Sequence, residues 1–145
     1  MRGLIQRVAR AEVAVDGATV GQIGRGVLLL LGVQKGDGEA DVLRLARKVV
    51  NYRIFADDDG HMNRSLIDVE GELLIVSQFT IAADTKKGLR PSFSSAAAPA
   101  EAEVLYEAFI AQATALGVPL ATGIFGANMQ VDLVNDGPVT FLLSS

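Results

Sequence analysis

The 145-residue chain has no cysteine and only one histidine. Without thiols it has no disulfide framework, no thiolate nucleophile and no cysteine-based metal or redox centre, a composition in keeping with a reducing cytosol. The histidine, His61, lies in the polar turn "DDGHMN". A serine–histidine–acid triad needs an imidazole held against a hydroxyl and oriented by an acid, and a solvated turn offers neither. Long apolar runs are missing too. The strongest, Val27 to Leu31, is far too short to cross a bilayer. The start of the chain is broken by Gln6, Arg7 and Arg10 and forms no signal-peptide core. No membrane partner is expected. Positive charge is also in deficit, with 13 basic against 17 acidic residues and a net charge of -4. That sign argues against general adhesion to DNA or any other nucleic-acid backbone. A nucleic acid can be met only locally, at a terminus for example. Two groups of cations are candidates, Arg2, Arg7 and Arg10 near the start and Lys86, Lys87 and Arg90 in "TKKGLRPSF"; as bare clusters, each reads first as a solvated face.

Metal, sugar and phosphate chemistry find little support. Asp57, Asp58 and Asp59 match no complete calcium loop and read as a polar turn. No two acids are recognisably held apart as a glycosidase pair. The glycines of "GQIGRG" have neither the dinucleotide spacing nor the lysine–serine ending of a phosphate loop, so they read as turns.

The length favours one domain with its own core, residues 1–145. Residues 4–15 read as a strand, Asp16-Gly17 as a turn and Thr19 to Ile23 as a second strand. "VLLLLGV" reads as a strand covered on both faces. From Ala40 to Asn51 the period changes: Val42, Leu45, Ala46, Val49 and Val50 form the stripe of a surface helix. "YRIFAD" returns to strand, "DDDGHMN" is a turn-rich connection, and Glu72 to Thr80 is a buried strand. The stretch from Ile81 to Ala98 is a long loop, a kind of segment that is usually functional in compact domains. Pro99 opens a second helix, with Leu105, Phe109, Gln112 and Leu116 on one side, widened by Tyr106, Ile110 and Ala113, and Gly117 ends it. "VPLATGIFG" supplies a strand and turn, and "NMQVDLV" and "VTFLLS" two final strands separated by Asn135, Asp136, Gly137 and Pro138. The expected fold is α/β: a single-domain mixed sheet in barrel-like layers, with two helices packed on one side.

What remains for chemistry is polar groups at strand ends. In "VSQFT", alternation points Ser77 and Phe79 to one face and Gln78 and Thr80 to the other; a strand ending at Phe79 would free the Thr80 side chain and N–H to face a ligand. Gly137-Pro138 raises a conformational question, since an ordinary X-Pro bond is trans.

The ordered set "LIQRV", "LLLLGV", "YRIFAD", "SQFT", "RPSFSSA" and "NMQVDLVNDGPVTF" resembles the D-aminoacyl-tRNA deacylase family, the type widespread in bacteria and eukaryotes, over essentially the whole chain. Ser77-Gln78-Phe79-Thr80 with Gly137-Pro138-Val139-Thr140 is the paired signature. The resemblance implies a homodimer acting on the acceptor end of aminoacyl-tRNA, with no cofactor and no metal. It implies that Gly137-Pro138 is cis and enters the neighbouring subunit's pocket as a chiral filter, with Arg7 supporting it through hydrogen bonds to backbone carbonyls. Terminal adenosine is expected near Ser77, Gln78, Phe79, Phe125 and Met129. Catalysis is expected around Ser77, Gln78, Phe79 and Thr80, with the backbone amides of Phe79 and Thr80 at the oxyanion, and tRNA phosphates near Lys86, Lys87 and Arg90. Nothing visible activates Thr80 as a nucleophile, so water assisted by the substrate's 2'-hydroxyl is the favoured attack. The rivals are a small-molecule D-amino-acid esterase or amidase and a nonenzymatic RNA-end binder.

Overall fold

The computed structural model describes all of residues 1–145. In chain order the elements are β1 (Arg2–Val15), β2 (Ala18–Ile23), β3 (Gly26–Gly32), α1 (Glu39–Asn51), β4 (Phe55–Ala56), β5 (Met62–Arg64), β6 (Glu72–Ser77), a 3-10 turn (Phe79–Ala82), α2 (Pro99–Ala115), β7 (Leu120–Thr122) and β8 (Gln130–Ser144). The first half of β1 pairs with β3 and its second half with β2, both antiparallel. β3, β6 and β7 then run parallel, joined by helical crossovers through α1 and α2. β2 curls back against β7, and a side chain at Gly21 would run into the backbone of Thr122. The mixed sheet is therefore nearly closed, with both helices on one side.

The apolar run of β3 is explained by burial on both faces. Val27, Leu29 and Leu31 join the core beneath the helices, while Leu28 joins a second cluster inside the curled sheet. β6 repeats the division, with Leu73 and Ile75 on one side and Leu74 and Val76 on the other. The expected stripe of α1 is the buried one, Val42, Leu45, Ala46, Val49 and Val50. On α2 the buried line is Ala102, Tyr106, Phe109 and Ala113, turned slightly from the expected centre because Tyr106 reaches the sheet and donates to the Ile75 carbonyl at 3.3 Å.

Three local expectations change. "YRIFAD" contributes only the two-residue β4, which forms a small hairpin with β5, so the acidic stretch is the turn of a hairpin and no mere connection. The strand expected through Thr80 stops at Ser77. The two final strands are one strand of 15 residues, β8, antiparallel to β1 along nearly its full length. Asn135 to Pro138 is thus no hairpin turn. Two steps along β1, from Gln6 to Val8, face five along β8, from Asn135 to Thr140, so three extra residues are pushed out of the ladder as a large bulge. The Gly137–Pro138 peptide within it is cis.

The base of the bulge is tied by one side chain. Asn135 Oδ1 accepts the Val139 N–H at 2.8 Å, while Asn135 Nδ2 donates to the Val139 carbonyl at 3.3 Å and to Thr140 Oγ1 at 3.0 Å. Val139 is buried, so its N–H would be left without a partner in Asn135→Ala, a loss of about 1–3 kcal/mol. Hydrogen exchange followed by NMR is expected to show the Val139 amide exchanging at least about tenfold faster in that variant.

The start of α1 has no side-chain N-cap; instead the Asp41 carboxylate reaches back to the Gly38 N–H at 2.9 Å. That bond, followed by those from the Ser145 hydroxyl and Arg44, lowers the Asp41 carboxyl from 3.8 to about 2. A carboxyl depressed by folding adds stability that is complete above its unfolded value and lost as pH falls through its folded one. Acid unfolding is therefore expected to steepen between about pH 4 and pH 2, and Asp41→Asn to flatten that part of the curve. Some slope should remain, because Asp57 and Asp68 are also lowered, chiefly by hydrogen bonds from the Asn63 side chain and the Ser65 N–H respectively.

Candidate active site

β3 and β6 end together, Leu31 opposite Ser77. Beyond this rung the Gln78 N–H donates to the Leu31 carbonyl at 2.8 Å, and the chain turns over the end of β3. Gly32 permits that approach: a Cβ there would stand 3.0 Å from Ile81 and 3.2 Å from the Gln78 carbonyl oxygen. Gln78 leads into the 3-10 turn, and its side-chain amide donates to Thr80 Oγ1 at 2.9 Å. The N–H groups of Phe79 and Thr80, first in the turn, have no acceptor within the chain. They are free for a ligand.

Beside this turn lies a cavity of about 800 Å³, with 12 of its 18 lining residues hydrophobic. That balance suits a mostly apolar ligand held by a few polar groups. Ser77, Gln78, Phe79, Thr80, Phe125 and Met129 all line it. The rings of Phe79 and Phe93 meet at 4.9 Å between centroids. Tyr106 packs on Phe125 at 5.7 Å, and burial first, then the charge of Glu107, pushes its hydroxyl up to about 12. It stays protonated at neutral pH. The lining contains no aspartate, glutamate, histidine or cysteine, and one charged residue, Lys35. Lys35, Phe93 and Tyr106 were not singled out from sequence. Lys35 belonged to no element or motif read from sequence, Phe93 lay in the long loop, and Tyr106 had read as one side of a helix.

Arg7, Gly137 and Pro138 do not line this cavity. Arg7 Nε donates to the Asp136 carbonyl at 2.7 Å and its Nη1 to the Ile54 carbonyl at 2.7 Å, so the planar guanidinium bridges the bulge of β8 to the residue before β4. An ion pair with the Asp136 carboxylate, at 3.7 Å, adds little on the exposed side.

Lys86, Lys87 and Arg90 stand on an exposed loop whose base is closed by paired backbone bonds between Asp84 and Ser92, at 2.8 and 3.0 Å. Their side chains have no ion-pair partner in the chain, whereas Arg7, Arg10, Arg44 and Arg64 each face a carboxylate. Elsewhere, Asp57, Asp59 and His61 offer atoms within 4.8 Å of one another, a grouping the sequence reading did not foresee. The Asp57 carboxylate there accepts bonds from Asn63 and from the Asp59 and His61 N–H groups, which shape the β4–β5 turn.

Known proteins share much of this sequence and its fold. The pattern of the family described as D-Tyr-tRNA(Tyr) deacylase matches residues 4–144. A D-aminoacyl-tRNA deacylase of Pseudoalteromonas translucida is 60% identical over 144 residues, covering 99% of each chain. One from Cellvibrio japonicus is 61% identical over 143 residues, covering 99% of this chain and 98% of its own. A solved structure described as a c-Myc DNA unwinding element binding protein superposes with a TM-score of 0.96 at 40% identity, covering 100% of this chain and 99% of that one. Since the matched span, residues 4–144, includes the strand-end turn, the cavity lining and the bulge of β8, the chain belongs to the D-Tyr-tRNA(Tyr) deacylase family.

Proposed function

We propose that the protein, acting as one domain over residues 1–145, hydrolyses the ester joining a D-amino acid to the terminal ribose of tRNA, and accepts glycyl-tRNA as well. The observation that carries this reading is the Ser77–Thr80 turn, with two unpaired N–H groups, on an apolar cavity free of carboxylate and imidazole. The relatives' names supply the substrate class.

Terminal adenosine lies against Phe79, Phe125 and Met129, with Ser77 and Gln78 giving it polar contacts. The Phe79 and Thr80 amides receive the developing oxyanion, a contribution that in other hydrolases is worth about 3–4 kcal/mol per donor. Thr80 carries no visible activation: its hydroxyl oxygen accepts from Gln78, and no acid or imidazole lines the cavity. Water assisted by the ribose 2'-hydroxyl is therefore the attacking group, with position in place of a protein base and without a metal ion.

Stereochemistry comes from a second protomer. The Gly137–Pro138 element, held by Asn135 and Arg7, enters the partner's cavity, and its carbonyls hold the substrate ammonium and leave no room for an L side chain. Support comes from its projection out of the β1–β8 ladder and from the exposed apolar residues of β8, Val131, Val134, Phe141 and Leu142. A thousandfold preference corresponds to about 4 kcal/mol of differential transition-state free energy, within the range of a clash plus an unsatisfied ammonium. Lys86, Lys87 and Arg90 meet tRNA phosphates near the acceptor end, and the setting is the cytoplasm.

Purified protein is expected to release D-tyrosine from D-tyrosyl-tRNA rapidly, with or without chelator, to spare L-tyrosyl-tRNA and to act on glycyl-tRNA. Equal action on both enantiomers defeats the filter; loss on chelation defeats the metal-free step; faster turnover of a simple D-tyrosine ester than of the tRNA favours the small-molecule esterase. The name of the structural relative favours a second reading, a nucleic-acid binder without turnover, which predicts stable binding to charged and uncharged tRNA and no release. The attacking group has its own test. D-tyrosyl-tRNA ending in 2'-deoxyadenosine is expected to turn over at least about a hundredfold more slowly, while Thr80→Val keeps most activity on the normal substrate; the opposite pattern makes Thr80 the nucleophile.

A further inference from the structure

Lys35 is the one charged residue on the cavity lining. It is exposed, so it stands at the mouth and not on the floor. No hydrogen bond or ion pair within the chain engages its ammonium. Its backbone is nevertheless firmly placed. The Lys35 N–H donates to the Ser95 carbonyl at 3.0 Å, and its neighbour Gln34 bridges to Ala96 on the cavity wall. The turn is closed by Gln34 N–H to Asp37 Oδ2 at 2.6 Å and Asp37 N–H to the Gln34 carbonyl at 3.2 Å. Asp37, the nearest acid in sequence, is turned toward the Met1 ammonium, 2.5 Å away, and that N–H. It does not neutralise Lys35.

A lone cation carried on a fixed backbone at the rim of an apolar site selects ligand charge by sign. The acceptor end of an aminoacyl-tRNA carries two kinds of charge near the ester: the α-ammonium of the amino acid, which Lys35 repels, and the phosphodiester on the 5' side of the terminal adenosine, which it attracts. A neutral apolar surface suits the nucleoside between them. Resting on the tRNA-end reading above, we infer that Lys35 is a substrate-positioning residue that binds the phosphate joining the terminal adenosine to the nucleotide before it. The contact fixes the nucleoside's direction in the cavity, phosphate at the mouth by Lys35 and ester toward the Phe79 and Thr80 amides. It is distinct from Lys86, Lys87 and Arg90, which stand outside the cavity lining.

The decisive comparison uses two small substrates, the 2'(3')-D-tyrosyl esters of adenosine and of adenosine 5'-monophosphate, beside D-tyrosyl-tRNA. Wild-type protein is expected to prefer the phosphate-bearing ester by about tenfold in kcat/KM, chiefly through KM. In Lys35→Gln that ratio falls to about one; Lys35→Arg retains part of it; Arg47→Gln, an equal loss of charge on exposed α1, retains all of it. On tRNA, Lys35→Gln reduces the slope of log KM against log salt by about 0.7, the signature of one single-strand phosphate contact. A preference that survives in Lys35→Gln, or an unchanged salt slope, overturns the assignment while D-specific hydrolysis of tRNA by the wild type leaves the functional reading standing. Failure of the wild type to hydrolyse D-tyrosyl-tRNA removes that reading, and the assignment with it.

Discussion

The molecule depends on the pairing of β1 with three partners at once. Its first half is bonded to β3, its second half to β2, and nearly all of its other edge to β8. Because β1 passes from one neighbour to the next near Val8 to Ala11, the sheet must curl there, and β2 is carried round toward β7. The same short stretch faces the bulge of β8. Arg7 sits opposite the extra residues, has no partner of its own in β8, and donates instead from its guanidinium to the Asp136 carbonyl. Curvature of the sheet and projection of the bulge thus meet at one short stretch of β1, the first at its change of neighbour and the second in its ladder with β8.

A second consequence lies at the far end of β3. Parallel strands joined by helical crossovers finish at the same edge, and in open α/β sheets that edge collects ligand sites. Here β3 and β6 finish together, so the turn after Ser77 and the turn after Val33 stand on one rim. Gly32 allows the first to fold over the strand end, and the Lys35–Ser95 bond brings the second to the wall of the cavity. The proposed oxyanion donors, the Phe79 and Thr80 N–H groups, follow directly on the end of β6, and Lys35 follows closely on the end of β3; a site that works by position needs such support.

Much of this could be read from residues, and the failures have physical causes. The α1 stripe and the two-sided burial of β3 were legible because local period and burial agree. The division of β8 into two strands was misread because Asn-Asp-Gly-Pro is strong turn chemistry. Only the partner strand decides whether such a segment reverses the chain or bulges from it, and β1 lies more than a hundred residues away. The β4–β5 hairpin was hidden by its brevity and its acidic turn. Motif residues of the cavity were visible because Ser77, Gln78, Phe79 and Thr80 are contiguous. Lys35 and Tyr106 were not, since one belongs to no motif and the other looked like helix packing. The available signal for Lys35 was topological: a cation just beyond a central parallel strand, at the end where its neighbour carries "SQFT".

The poverty of the cavity in titratable groups bears on how the proposed chemistry divides between substrate and protein. An apolar wall with a neutral tyrosine and one rim lysine cannot pass protons efficiently, but it strengthens every fixed dipole aimed at a developing charge. An aminoacyl ester needs little more, being already activated by its neighbouring hydroxyl. In the proposed dimer the protomer that binds the nucleoside stabilises the transition state, and the protomer that donates the Gly137–Pro138 element decides which enantiomer reaches it. Rate and selectivity then sit on different chains. A change that loosens Arg7 or Asn135 would erode discrimination before it touched the oxyanion donors, because the bulge and the strand-end turn share no hydrogen bond.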